Sequence, residues 1–225
     1  MRRTFAALAF LFLLGDFGQA QQLPPEPEWM SKLPQPPAEI VQKATALVRD
    51  NFGAERFDKL FRLHWARTLP GSPPDAEGVH HVVFAMRVQA TDYAVELPVG
   101  VQLDASGNVL RTEGVVDCGR LPDGCPPFDF TRAQAIQTAR EAGLKPGAKP
   151  LVCSPAEFIE GFCVTLYFHH GHGRYVWSVR NRESRGWRFW EALLYPAGYE
   201  RGRDAIIDAG TRKLYGVYNW RLILD

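Results

Sequence analysis

Val101-Gln102-Leu103-Asp104-Ala105-Ser106-Gly107-Asn108-Val109-Leu110 reads as a strand, a tight turn and a returning strand. Apolar and polar residues alternate up to Leu103, the side-chain period of a half-buried strand. The next five residues favour a turn, because Asp and Asn side chains bond nearby backbone and Gly supplies a positive φ. The second half carries an echo, Ile207-Asp208-Ala209 followed by Leu214.

Upstream of this stretch the same reading continues. Tyr93 to Leu103 is a strand interrupted by Pro98, which lacks an amide and belongs at an edge or a bulge. His80, Val82, Phe84, Met86 and Val88 form one face of an earlier strand, with His80 and His81 on opposite faces. Phe61, Leu63 and Trp65 alternate with Arg62, His64 and Ala66 in a strand before that, and Leu69 to Gly78 is a Pro/Gly loop. A helix begins near Ala38, where Ile40, Val41, Ala44, Leu47, Val48 and Phe52 share a face. Pro37 suits its first turn and Gly53 its stop.

Downstream, Cys118 to Phe128 is a connector rich in Pro, Gly and Asp. Thr131-Arg132-Ala133-Gln134 is a capping box opening a helix to Glu141 or Ala142, with Gly143 as the stop. Phe162, Val164, Leu166 and Phe168 alternate along a strand, His169 to Gly173 turns, and Tyr175, Trp177 and Val179 return. Trp187 to Leu194, Ala205 to Ile207 and Leu214 to Leu224 read as further strands. Both halves thus run helix, strands, tight turn and final strand. The expected class is α+β, with two repeats that each pack a helix on an antiparallel sheet. The first repeat spans 38–116, a connector 117–128, and the second repeat 129–225.

The N-terminus reads as an address. Arg2 and Arg3 precede an apolar run from Phe5 to Leu14, and Gly18-Gln19-Ala20 is a small-x-small triplet. That is the pattern of a signal peptide over 1–20; the run is too short for a bilayer, which needs about 20 apolar residues. The chain is therefore expected to be exported, periplasmic or extracellular, with no membrane span. Residues 21–37 hold six of the 17 prolines and read as a semi-rigid spacer. Four cysteines allow three connectivities. The local pairs Cys118–Cys125 and Cys153–Cys163 are favoured, because each encloses turn-forming residues.

With helix, sheet and turn in place, the chain resembles the PepSY family of exported domains. Val101 to Leu110 is close to that family's strand-turn-strand signature. The second copy is carried by Tyr175-Val176-Trp177-Ser178-Val179 and Ile206-Ile207-Asp208-Ala209-Gly210-Thr211-Arg212-Lys213-Leu214. There the family's Thr-Gly order is reversed to Gly210-Thr211. The resemblance implies small α+β domains and a non-catalytic role beside secreted peptidases or in the cell envelope. It brings no catalytic residues.

Composition narrows the function further. The 225 residues suffice for one large or two small domains, and 23% charged with 46% hydrophobic residues is ordinary globular usage. A net charge of +1 argues against a dedicated nucleic-acid binder. No nucleophile elbow, zincin helix, P-loop or dinucleotide fingerprint occurs. His170 and His172, with His169 beside them, have a spacing that suits a metal on a strand end; no fourth ligand accompanies them, and no cofactor is expected. Arg174, Arg180 and Arg188 alternate with Trp177, Trp187 and Trp190 in a basic, aromatic stretch. Such a surface suits a protein or peptide, for example a secreted peptidase, and a sheet edge could add an extended chain. The leading expectation is an exported binding module. The alternative is a small-ligand carrier or enzyme with a pocket between helix and sheet.

Overall fold

The computed structural model describes residues 22–70, 78–90, 93–154, 157–186 and 199–223. The expected signal peptide over 1–20 and the strand over Trp187 to Leu194 lie outside these residues. The fold is α+β, with two antiparallel sheets.

The first sheet is a meander of β1 (Phe61–Leu69), β2 (Val79–Ala90), β3 (Tyr93–Leu103) and β4 (Val109–Glu113), ordered β1-β2-β3-β4. Helix α2 (Ala38–Phe52) follows a short α1 (Glu28–Ser31) and lies across β2 and β3. Its buried stripe is Ile40, Ala44, Val48 and Phe52, a strict four-residue spacing that leaves Val41 and Leu47 at the flanks, only partly buried. Facing it are Val82, Phe84, Met86 and Val88 of β2 and Val99, Val101 and Leu103 of β3, all nearly fully buried. Gly53 ends α2 at φ 84 as the sequence suggests, but the chain at once re-enters a helix, α3 (Ala54–Leu60). That turn holds because Phe57 stacks on Phe61 at 5.3 Å and meets Phe84 edge-on at 5.9 Å.

The alternation expected for β1 breaks at a bulge. Leu63 pairs with Phe84 and Trp65 with Val83, so His64 is an extra residue. Opposite residues share a face. Ala66, opposite the core residue Val82, therefore turns inward, while Trp65 turns outward. Among the described residues, Pro98 lies where β3 has a neighbour on one side, since β4 pairs with it from Gly100 to Leu103.

The proline-rich stretch is no free spacer. Residues 22–37 lie along the outer face of the first sheet, with Met30 and Pro36 buried. Apart from the turn of α1, the stretch is held by side chains of the sheet and by the Thr68 amide.

The second half begins with α4 (Arg132–Glu141), whose Thr131–Gln134 capping box forms in both directions. Its Ala135, Ile136 and Ala139 face the second sheet, against β6 (Phe162–His169) and β7 (Arg174–Arg180). That sheet also holds β5 (Phe158–Ile159), β9 (Tyr199–Asp208) and β10 (Leu214–Ile223), in the order β10-β9-β7-β6-β5. A short β8 (Ser184–Gly186) pairs with β9. β7 is central, and its residues Tyr175 to Val179 are buried on both faces.

Both cysteine pairs form as expected, Cys118–Cys125 and Cys153–Cys163, the state an oxidising compartment maintains. No helix among the described residues is long and apolar enough to cross a membrane. The halves share one continuous apolar cluster, from Ile40 to Ala209. The Tyr175 hydroxyl donates to the Gly114 carbonyl at 2.7 Å, and the Cys118 amide to the Asn51 carbonyl at 2.7 Å.

Candidate functional site

The outer face of the second sheet carries the aromatic surface. Register places Tyr218 and Trp220 of β10 opposite Asp204 and Gly202 of β9. Gly216 lies under the Tyr218 ring, and a Cβ there would come within 2.9 Å of it, so that the ring would have to shift. At the other end, the β6–β7 turn brings His172 onto Tyr215, stacked at 3.8 Å, and His169 within 4.5 Å of His172. Between these ends lies an open groove of about 380 Å³, lined by His169, His172, Asp204, Ile206, Tyr218 and Trp220.

Polar groups fix its floor. The Asp204 carboxylate accepts from the Ser178 hydroxyl at 2.6 Å and from Arg180 Nη2 at 2.8 Å. The Arg180 guanidinium lies 5.5 Å from the Trp220 ring centre, within cation–π range. The indole N–H of Trp220 donates to the Asn181 carbonyl at 2.9 Å. Burial, reinforced by the Asp204 charge, pushes the Tyr167 phenol above its ordinary pKa.

Beside the groove, Asp208 anchors the β9–β10 turn. Its side chain is 1% exposed. It accepts from the Gly210 and Thr211 amides, from Arg174 at 3.2 Å and from the Tyr215 hydroxyl at 2.6 Å. Burial alone would raise its pKa, but these hydrogen bonds and the Arg174 charge outweigh it and hold the carboxyl below its usual range. Burial and the Asp208 bond push Tyr215 up to about 12. Gly210 abuts the connector so closely that a Cβ would overlap the Asp123 carbonyl, and the positive φ of the turn falls on Arg212 instead, at 63°. A second open cavity of about 490 Å³ lies at this junction, lined by Arg56, Asp123, Asp129, Thr211 and Arg212 among others.

The residues expected to bind are not all brought together. Arg180 reaches the groove. Arg174 is committed to Asp208. Trp177 is fully buried, its indole donating to the Phe130 carbonyl at 3.0 Å, so it belongs to the core and not to a surface. β7 is covered on both sides, which a period-two reading of one strand does not show. Trp187, Arg188 and Trp190 lie outside the described residues. His170 and His172 do not converge. The strand ends at His169, and the turn sends His170 toward Phe168 and Glu113 while His172 meets Tyr215. Tyr218 and Trp220 were legible only as members of a final aromatic strand; their spacing of two was the signal for a shared face.

Among the described residues, one group of three potential metal ligands occurs, Cys153, Glu157 and Cys163, and its sulfurs are joined in a disulfide. No family model matches the chain, and neither does any curated protein or solved structure.

Proposed function

We propose that the chain is an exported, non-catalytic binding module of PepSY-like type, built from two repeats, that engages a peptidase or another envelope protein through the outer face of its second sheet. The observation that carries this reading is the aromatic groove beside β10, a strand of ten residues that among the described residues is paired on one side only. Tyr, Trp and Arg dominate protein-binding hot spots, and an edge strand offers unpaired backbone to an extended chain. Tyr218 is 51% exposed and Ile223 43%, so the edge presents apolar side chains with the backbone.

The repeat reading draws support from chain order. With α3, β5 and β8 set aside, α2-β1-β2-β3-β4 and α4-β6-β7-β9-β10 are both a helix followed by a four-strand meander. Asp104 and Asp208 open the last turn of each. The Asp104 amide donates to Asn108 and its carboxylate accepts from the Asn108 amide; Asp208 does the same with Lys213 and Thr211. Export is supported by the two disulfides and the N-terminal pattern of the sequence. The alternative ligand pocket between helix and sheet finds that space filled by Ile136, Phe162 and Trp177.

A photo-crosslinking residue at Tyr218 tests the reading on cell-envelope fractions. A discrete protein adduct is expected there, lost in Trp220→Ala and absent when the crosslinker replaces exposed Glu39 on α2. Identical adducts from both positions, or none from Tyr218, would overturn it.

A further inference from the structure

The N-terminal segment is seated on the first sheet in the manner of a bound peptide. The Leu23 amide donates to Glu96 Oε2 at 3.1 Å. The Pro24 carbonyl accepts from His64 Nε2 at 3.0 Å, which places the proton of that imidazole on Nε2. Arg67 grips the segment twice, with Nε donating to the Met30 carbonyl at 3.1 Å and Nη2 to the Glu26 carboxylate at 2.8 Å. The Thr68 amide donates to the Pro34 carbonyl at 2.8 Å. Pro27 and Pro37 have φ, ψ of −56°, 138° and −52°, 145°, the polyproline II region.

Prolines cannot donate, so a receptor for them must supply donors to their carbonyls. This face supplies them from His64 to Pro24 and from the Thr68 amide to Pro34, and Arg67 adds a donor to the Met30 carbonyl between them. The β1 bulge makes that possible, because it leaves His64 unpaired and shifts Arg67 to the outer side. Ala85 also points outward by its pairing with Arg62 and Pro98, yet is 1% exposed, the mark of a covered face. The Glu26–Arg67 pair is largely shielded, with side chains 18% and 13% exposed, so it selects for an acidic residue within the prolines.

We propose that the outer face of the first sheet is a binding site for a proline-rich, acidic peptide segment that carries one helical turn, occupied in this structure by the chain's own residues 22–34. A partner protein carrying such a segment competes with the tethered arm, whose effective concentration is on the order of millimolar. The arm therefore sets a threshold for capture. The site is distinct from the groove on the second sheet and stands or falls independently of it.

The probe is a fluorophore-labelled synthetic peptide of residues 22–34, read by fluorescence anisotropy against the whole chain and its variants. Glu26→Ala weakens the arm in cis and leaves the face intact; it is expected to take the labelled peptide at least tenfold more tightly than the wild type. A variant lacking residues 22–33 should bind at least as well, and Arg67→Ala in that background should lose binding at least tenfold. A labelled peptide carrying Glu26→Ala should bind poorly to all of them. Circular dichroism checks each variant for folding. Failure of the peptide to bind either arm-weakened variant, with folding intact, overturns the proposal, as does binding that Arg67→Ala leaves unchanged. Should the deletion variant fail to fold, the Glu26→Ala comparison decides.

Discussion

Asp208 gathers two backbone amides, a guanidinium and a phenol around a carboxylate that is almost wholly shielded from water. Because its pKa is held below the unfolded value, its charge stabilises the fold above the ordinary carboxylate range, and this contribution is lost as pH falls through the folded pKa. Asp208→Asn should cost roughly 2–3 kcal/mol at pH 7, in line with hydrogen bonds to a charged group, and the mutant should lose less on acidification than the wild type. Urea midpoints at pH 7 and pH 3 measure both. Equal losses for the two proteins on acidification would contradict the assignment. Asp104 makes the comparable turn on an exposed hairpin, so the same motif is shielded in one half and solvated in the other. From sequence, both aspartates read as turn residues of one kind; which of them is shielded depends on the packing of Arg174 and Tyr215.

At the scale of elements, local codes were the most legible. The capping box, Gly53, Gly143, the β2 face and both short disulfide loops are set by residues close in the chain, and each forms as its sequence implies. What could not be read depends on distant partners. α3 persists because Phe57 finds Phe61 and Phe84, and the proline-rich arm is ordered because Arg67 and Thr68 await it. The one-residue bulge in β1 leaves no trace in a pattern of apolar and polar letters. Helix α2 gives a clean test of its buried stripe. Ile40→Ala should cost about 2–5 kcal/mol, the range for large-to-small core changes, because Ile40 is 1% exposed. Leu47→Ala should cost less, since Leu47 lies at the flank, and surface Glu39→Ala should stay within about 0.5 kcal/mol. Denaturant midpoints rank the three, and a Leu47 effect larger than that of Ile40 would mean that the helix is rotated on its sheet.

For the whole molecule, one cluster of apolar side chains passes from α2 through the connector to the second sheet, and Tyr175 bonds across it to Gly114. The two halves should therefore unfold together, as a single transition by both far-ultraviolet dichroism and tryptophan fluorescence. Two separated transitions would show that each half is stable alone. Of the residues that the sequence offered for an aromatic and basic sheet surface, Arg180 lies beside the groove and Trp177 lies in the core. Which face of a central strand meets solvent is decided by what packs on the far side, and that lies beyond any one strand's period. The contact between Gly210 and the connector backbone has a historical consequence. This glycine answers to a neighbouring segment more than to its own turn, so the two are expected to change in concert over descent. A lineage that sheds the Cys118–Cys125 loop is freed to place a side chain at position 210, and one that keeps the loop inherits the glycine with it.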